Sequence, residues 1–461
     1  MVDATKPNNQ QRNDLHASII QRRKYNLQAR KTILQIFFKR DETYPKTFVR
    51  YDSVSFSIKF QSVKFNYEHF INETTDFSLN SYYFTLNKSK IDLGEWQRNI
   101  IQTALSIIPE DCKEQPIIFS IDDTMIEKFG THFENCATLY DHAAHNGSNY
   151  LNGHCFVSLM MSVPVKDNSK CKYLSFPISY RMWTQEESKL SMSSQMVSEA
   201  MKTIGQEYKA ILCCDSWYPK GDVLNLVNKF SNLSMICNAR SDTVMYDLPP
   251  EKSGKRGRPR KYGDKLSLQD FELTDVENTD FCIGVKKVLT NIFGDKVVFA
   301  IVTKSKKTNS YRLFFSTTLP ENLNFNIDFI TLESAKVYAQ ANSAFLPLTI
   351  YSLRWNIEVS YYEQKSFWAL SDYMLRSKTG IERLINLLTL IFSSMYILPY
   401  LDDDFSFLNQ YSPQQVRFLL GNLIQRQLFF YTFVSLLETN KNTAHIAKLL
   451  KDSSFDFPLA S

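Results

Sequence analysis

The sequence predicts a mixed α/β protein, and three observations carry that prediction. Two short apolar runs, residues 116–121 and 210–214, each stop on carboxylates, at Asp122-Asp123 and at Asp215. Uninterrupted apolar runs of this length suit strands buried on both faces, with acidic groups at their exits. Helix-patterned stretches alternate with them, from Ser188 to about Gly205 and from Asp222 to Phe230. Finally, residues 351–377 contain neither Gly nor Pro and read as one helix.

At 461 residues the chain is long enough for two or three domains with their own cores. A hydrophobic content of 44% places it among globular rather than disordered chains. The net charge of +5 is mildly basic, but it is unevenly spread. Residues 1–50 hold eleven Lys/Arg against four Asp/Glu, a footprint that suits nucleic acid as well as an ordinary solvated tail. The eight cysteines form no C-x-x-C and no zinc-finger spacing, so free thiols in a reducing compartment are expected. The polar N-terminus does not read as a signal peptide. The most apolar run, Leu384 to Leu398, carries Asn386, Thr389, Ser393 and Ser394 and is short for a membrane span. These features predict a soluble cytoplasmic protein.

Taken in order, Leu27–Lys39 reads as a short helix with a basic flank, and the alternation in Val54–Phe65 as a strand. Asp92–Ile108 reads as helix. After the run ending at Asp122-Asp123 come strand patterns at His154–Val165 and Lys172–Arg181, then the Ser188 helix and the run ending at Asp215. The Asp222 helix is followed by a strand over Met235–Ala239. Runs at Phe281–Leu289, Lys296–Thr303 and Tyr311–Thr317 predict a mostly-β segment. From Ile381 onward the chain reads as helical, and Ser412-Pro413-Gln414-Gln415 is a capping box with Pro at the first helical position.

On a helix, Tyr351, Arg354, Glu358 and Lys365 fall within about 60° of one another, whereas Glu363 points about 140° away from Glu358. On spacing alone a solvated face held by i, i+4 pairs is the simpler account. The set Tyr, two residues, Arg, three residues, Glu, six residues, Lys nevertheless resembles the YREK signature of insertion-sequence transposases of the DDE type, matched at all four positions. The resemblance runs over roughly residues 115–370. Cys-Asp215-Ser-Trp-Tyr resembles that family's motif around its second aspartate, and the Asp-Thr pair at 123–124 resembles its first.

This likeness implies a ribonuclease H-like catalytic core, a mixed five-stranded sheet with flanking helices, and the element order above agrees with it. It implies an N-terminal DNA-binding region at 1–115, core segments at 116–240 and 346–380, a β-rich insertion domain at 241–345 and a helical C-terminal region at 381–461. Asp123, Asp215 and Glu358 would be the catalytic, metal-binding triad, with Asp122 the alternative to its neighbour because adjacent strand residues face opposite sides. They would hold two Mg2+ ions, with Mn2+ as a substitute, for in-line phosphoryl transfer. Tyr351, Arg354 and Lys365 would contact DNA phosphates, Arg as the better fork. The partners implied are DNA, as element ends and target, and a second copy of the chain in the synaptic complex.

The activity implied is cleavage at element ends and joining of the 3′ ends to target DNA. A nuclease without strand transfer and a catalytically silent DNA-binding derivative are the alternatives. Two further features bear on DNA. Arg256, Arg258, Arg260 and Lys261 lie in a Gly-Arg-Pro-Arg context like that of AT-hooks, which also fits a basic loop that meets phosphates without reading sequence. Some relatives stack a flipped base on a Trp of the insertion domain, but the Trp residues here are at 96, 183, 217, 355 and 368. His142, His145 and His154 have a metal-ligand look, with packing or DNA contact the simpler account.

Overall fold

The computed structural model describes residues 63–66, 68, 77–130, 132–141, 149–167, 170–250, 260–276, 279–331 and 333–422. The expected Leu27–Lys39 helix, the basic N-terminal arm and the first part of the Val54–Phe65 strand lie outside these. At the described end of that strand, Val63–Asn66 is instead a helical turn. Val63 joins the core that holds Tyr82 and Leu86.

Helix α1 spans Leu79–Lys88 and α2 spans Leu93–Ser106, where the Asp92 carboxylate accepts from Gly94 N–H as an N-cap. Four strands follow: β1 (Ile117–Glu127), β2 (Ala137–Tyr140), β3 (Tyr150–Asp167) and β4 (Lys170–Trp183). Next come α3 (Lys189–Ile204), β5 (Ala210–Cys214), α4 (Gly221–Lys229) and β6 (Leu233–Ala239). The apolar runs legible in the sequence are therefore strands, and β2 is an addition too short and polar to signal itself.

β1 is antiparallel to β3 and parallel to β5, and β5 is parallel to β6. Among the described strands β4 pairs with β3 alone. Residues 153–165 of β3 are buried without a break, because neighbours flank it and helices cover both faces.

The stretch 241–345 contributes β7 (Met245–Tyr246), β8 (Lys265–Leu266), β9 (Thr274–Asp275), β10 (Phe281–Thr290), β11 (Val298–Ser305) and β12 (Tyr311–Ser316). These strands do not stand apart from the first sheet. β12 pairs antiparallel with β6, placing Leu313 opposite Ala239, so the order among described strands continues β6-β12-β11-β10. Val276, Ile283, Ile301, Phe314 and Phe345 form a second, smaller core at this end, and Tyr351 packs against both cores.

Beyond the sheet lie α5 (Glu333–Ala341), α6 (Leu346–Ser352), α7 (Trp355–Phe367) and α8 (Lys378–Leu401). The single helix expected over residues 351–377 is thus divided. Leu353 and Arg354 keep helical dihedrals, but the N–H groups of Leu353, Arg354, Asn356 and Ile357 bond three residues back, a tightened 3₁₀-type joint. At the other end α7 stops at Phe367. Ala369 adopts a left-handed φ of 56°, and the N–H groups of Trp368 and Leu370 both reach the Gln364 carbonyl. Burial of Trp368, Ala369 and Leu370 stabilises this turn without a glycine.

α8 is, among the described residues, the one helix long and apolar enough to cross a membrane, and 83% of its apolar window is buried inside the protein. Its polar residues explain its place. Among the described strands nothing pairs with the second edge of β4, and unpaired strand edges must be covered or blunted. The Asn386 amide accepts from Tyr180 N–H at 2.9 Å and donates to Tyr180 C=O at 2.8 Å, as a neighbouring strand would. Glu382 accepts from Met182 N–H and Ser393 donates to Pro177 C=O. Of the polar residues in the apolar run, Asn386 and Ser393 satisfy the strand edge, while Thr389 bonds Gln364 of α7 and Ser394 bonds the Leu390 carbonyl of its own helix. Farther on, the predicted capping box forms: Gln415 N–H bonds Ser412 Oγ and the Gln415 side chain returns to Ser412 N–H.

Candidate active site

The first apolar run does not exit at its aspartates as expected: β1 continues to Glu127 paired with β3, so Asp122 and Asp123 lie in mid-strand and, as consecutive strand residues, project to opposite faces. Asp122 faces α7. Its register partner on β3, Ser158, shares a short hydrogen bond with the Tyr361 hydroxyl of that helix. Arg354 donates from Nη1 to Asp122 at 3.0 Å and from Nη2 to Glu358 at 2.6 Å, so one guanidinium ties β1 to the first turn of α7. The Arg354 side chain is only 12% exposed and Asp122 19%, which makes this a largely desolvated contact rather than a surface ion pair.

Asp123 turns toward α3. It accepts from Lys189 Nζ at 2.8 Å, from the Tyr218 hydroxyl at 2.9 Å and from Cys155 Sγ at 3.2 Å. Lys189 is the first residue of α3, reached because Ser188 caps that helix next to the β1 exit. Asp215 follows Cys214, which pairs with Ile121, so Asp215 and Asp122 stand at the same level of two parallel strands. Its Oδ1 accepts from Trp217 N–H at 3.0 Å, closing a tight turn after β5.

The carboxylates act on one another. Burial raises the Asp122 carboxyl to about 7, and the charges of Asp215 and Asp123 add to the rise against the pull of Arg354. Asp215 is raised chiefly by its burial, with Asp123 contributing. Four carboxylates thus meet two cations, Arg354 and Lys189. An acidic surplus drawn from the middle of β1, the end of β5 and the first turn of α7 is the environment that a divalent cation relieves.

The donor chemistry suits a hard divalent cation, since carboxylate oxygens are the preferred protein ligands of such ions. The carboxylates are not gathered into a ready cage, however. No group of three or more His, Cys, Asp or Glu among the described residues is drawn together as metal ligands, and Arg354 bridges Asp122 to Glu358 instead.

The remaining sequence candidates are placed as follows. Lys365 lies on α7 and donates to Met125 C=O of β1 at 2.8 Å, and burial lowers its ammonium pKa. Tyr351 is part-buried at the end of α6, edge-on to Phe314, with the Arg354 guanidinium 5.7 Å from its ring. Arg260 and Lys261 are exposed and pair with Asp264 and Asp295. Arg256, Arg258, His142 and His145 lie outside the described residues. His154 is buried between the Tyr373 hydroxyl, 2.6 Å from Nδ1, and the Glu134 carbonyl, 2.9 Å from Nε2, which is a packing role.

Sequence reasoning passed over Lys189 and Tyr218 as site residues. Tyr218 is three residues past Asp215 and within the quoted motif, a usable signal. Nothing local marks Lys189, whose link to Asp123 spans 66 positions.

Comparison with known proteins gives two findings. Residues 71–280 match the family described as DDE superfamily endonuclease, a span that includes Asp122, Asp123 and Asp215 and ends before Glu358. Over 301 residues the chain is 26% identical to the transposase for insertion sequence element IS1151 of Clostridium perfringens, an alignment covering 56% of this chain and 62% of that protein.

Proposed function

We propose that this chain is a DDE-type transposase of an insertion sequence, which cleaves DNA at the element ends and joins the freed 3′ ends to target DNA. The observation that carries the reading is the convergence on Arg354 of acidic residues from β1 and α7, beside Asp215 at the end of β5. Both similarities to known proteins support a nucleic-acid-cleaving enzyme of this type. The strand order β4-β3-β1-β5-β6, with β1, β5 and β6 parallel, supports a ribonuclease H-like core, and β7–β12 are its insertion.

Asp122, Asp215 and Glu358 are the residues we assign to hold divalent metal, with Mg2+ the natural ion and Mn2+ a substitute. The sequence favoured Asp123 over Asp122 in this set. The contacts of Asp122 with the α7 side of the sheet support it for that place, while Lys189 and Tyr218 hold Asp123 on the other face. Two bound ions supply activation of the attacking oxygen and stabilisation of the leaving oxygen. Arg354 keeps Asp122 and Glu358 in place in the absence of DNA, and its planar fork suits paired phosphate oxygens. A phosphate entering the site competes with Glu358 for that fork and so frees the carboxylate. Lys365 fixes α7 to β1 through Met125.

Because two element ends must be held together, the active species is at least a dimer. The test is excision of a marker flanked by the DNA bordering this gene, in Mg2+, for the wild type and Glu358→Gln. Release by the wild type alone supports the reading, release by both variants overturns the role of Glu358, and release by neither overturns the transposase reading.

A further inference from the structure

α7 has a joint at each end, the 3₁₀-type turn at residues 353–357 before it and the left-handed turn at Ala369 after it. Neither joint fixes the direction in which the helix lies, so contacts with the sheet must do so. β1 supplies them at three places. Arg354 reaches Asp122, Lys365 reaches the Met125 carbonyl, and Lys128 reaches the residues that follow the helix. Asp122, Met125 and Lys128 are spaced by three, so the outer two stand about 20 Å apart along an extended chain. The 13 residues of α7 also span about 20 Å. The helix therefore runs along the strand, tied near its start, near its end and at its exit.

Lys128 is the tie that the chemistry above leaves unused. Its backbone N–H continues the β1–β3 ladder by donating to the Asn152 carbonyl at 2.8 Å, and its side chain is buried. The ammonium donates to the Ser371 carbonyl at 2.6 Å and the Tyr373 carbonyl at 3.0 Å, and lies 3.6 Å from the centre of the Tyr373 ring. Both carbonyls belong to the connector 368–377, which has neither helix nor strand to satisfy them. Tyr373 is buried too, with its hydroxyl 2.6 Å from Nδ1 of His154 on β3. A buried ammonium is costly unless its donors are used, and here two carbonyls and an aromatic face use them. An apolar side chain would fill the same space but leave the two carbonyls unpaired.

We propose that Lys128 is a positioning residue for the reaction: by holding the connector to the exit of β1 it fixes the line of α7 and so keeps Glu358 facing Asp122. This deepens the functional reading above and rests on it. Burial pushes the Lys128 ammonium down to about 8, against the pull of Asp372 and Cys136. Around it, burial raises the Tyr373 phenol and the Cys136 thiol and keeps His154 neutral. Lys128 is thus the member of this cluster that loses its charge, and with it a donor, as pH rises from about 7 to 9.5.

The test is single-turnover cleavage of DNA bordering this gene by the full chain, in Mg2+ and well below Tm. Lys128→Met should lower the rate at saturating DNA by about 10²-fold, the scale of a misplaced catalytic group, with DNA affinity within about twofold. Lys128→Arg, which keeps charge and donors, should recover the rate to within about tenfold of wild type. Because a guanidinium does not deprotonate, the ratio of the wild-type rate to that of Lys128→Arg should fall at least about tenfold between pH 7 and 9.5. A near-wild-type rate for Lys128→Met, or a ratio constant with pH, overturns the positioning role and leaves Lys128 a packing residue. Hydrogen exchange in the wild type decides if the variants do not fold. Corrected for intrinsic rates, residues 366–377 should lose at least about tenfold more protection than β4 over the same pH range. Equal loss in the two segments overturns the tie itself. Absence of cleavage by the wild type overturns the transposase reading and the positioning role with it, while the exchange result still judges the tie.

Discussion

Glu358→Gln separates the chemistry from the scaffold more cleanly than any other single change. Glutamine keeps the shape of glutamate and an acceptor oxygen for Arg354, so the contact that measures 2.6 Å can persist as a weaker, half-charged hydrogen bond. Glu358 is 36% exposed, and solvent screens the pair, so the loss of stability belongs to the range of about 0.2–1 kcal/mol seen for accessible ion pairs. In a chain of this length that shifts Tm by no more than about 2 °C. Activity should fall far more, by at least about 10²–10³-fold, because one anionic oxygen ligand and its charge are lost where the reaction builds charge. Binding to DNA bordering the gene should stay within about twofold, since no DNA-facing cation is removed. Cleavage of a supercoiled plasmid bearing those borders, with filter binding and a thermal melt on the same preparation, measures all three. Cleavage at the wild-type rate would refute the assignment of Glu358. A fall in Tm of many degrees would refute it differently, by making the residue structural.

Three other perturbations test the remaining parts of the site and fold. Asp122→Asn should reduce cleavage more than Asp123→Asn, because Asp122 shares Arg354 with Glu358; the reverse order in single-turnover assays would return the metal-binding role to Asp123. Burial holds the His154 pKa below its unfolded value of about 6.5, so folding favours the neutral ring. Its contribution to stability is therefore complete above about pH 6.5 and is lost as pH falls through the folded pKa. His154→Gln should flatten the dependence of Tm on pH over that acidic window, and an unchanged slope would remove His154 from the account. Asn386→Ala strips two buried backbone groups of Tyr180 of their partners, which at about 1–3 kcal/mol each should cost about 2–6 kcal/mol in a denaturant titration. A loss under about 1 kcal/mol would mean that water or the chain reseals the β4 edge.

The sequence by itself determined the mixed α/β class and brought forward Asp122-Asp123, Asp215, Arg354 and Glu358 as candidates, for identifiable physical reasons. Runs such as Ile117–Ile121 and Ala210–Cys214 are apolar without alternation because both faces of those strands are covered, so burial itself wrote the signal. Asp215 follows such a run directly, and Arg354 and Glu358 share a face by local helical spacing, so each was legible from neighbours within a few residues. Tertiary structure decided everything that depends on which elements lie side by side. The face to which each of the adjacent aspartates turns follows from α7 packing on one side of the sheet and α3 on the other. The pairing of Lys189 with Asp123, the joining of β12 to β6 and the seating of Asn386 on the β4 edge likewise link positions 66 or more residues apart. A local sequence pattern carries the periodicity of one element. It does not carry the identity of the neighbour that the element buries itself against, and that neighbour determines where a buried charge finds its partner.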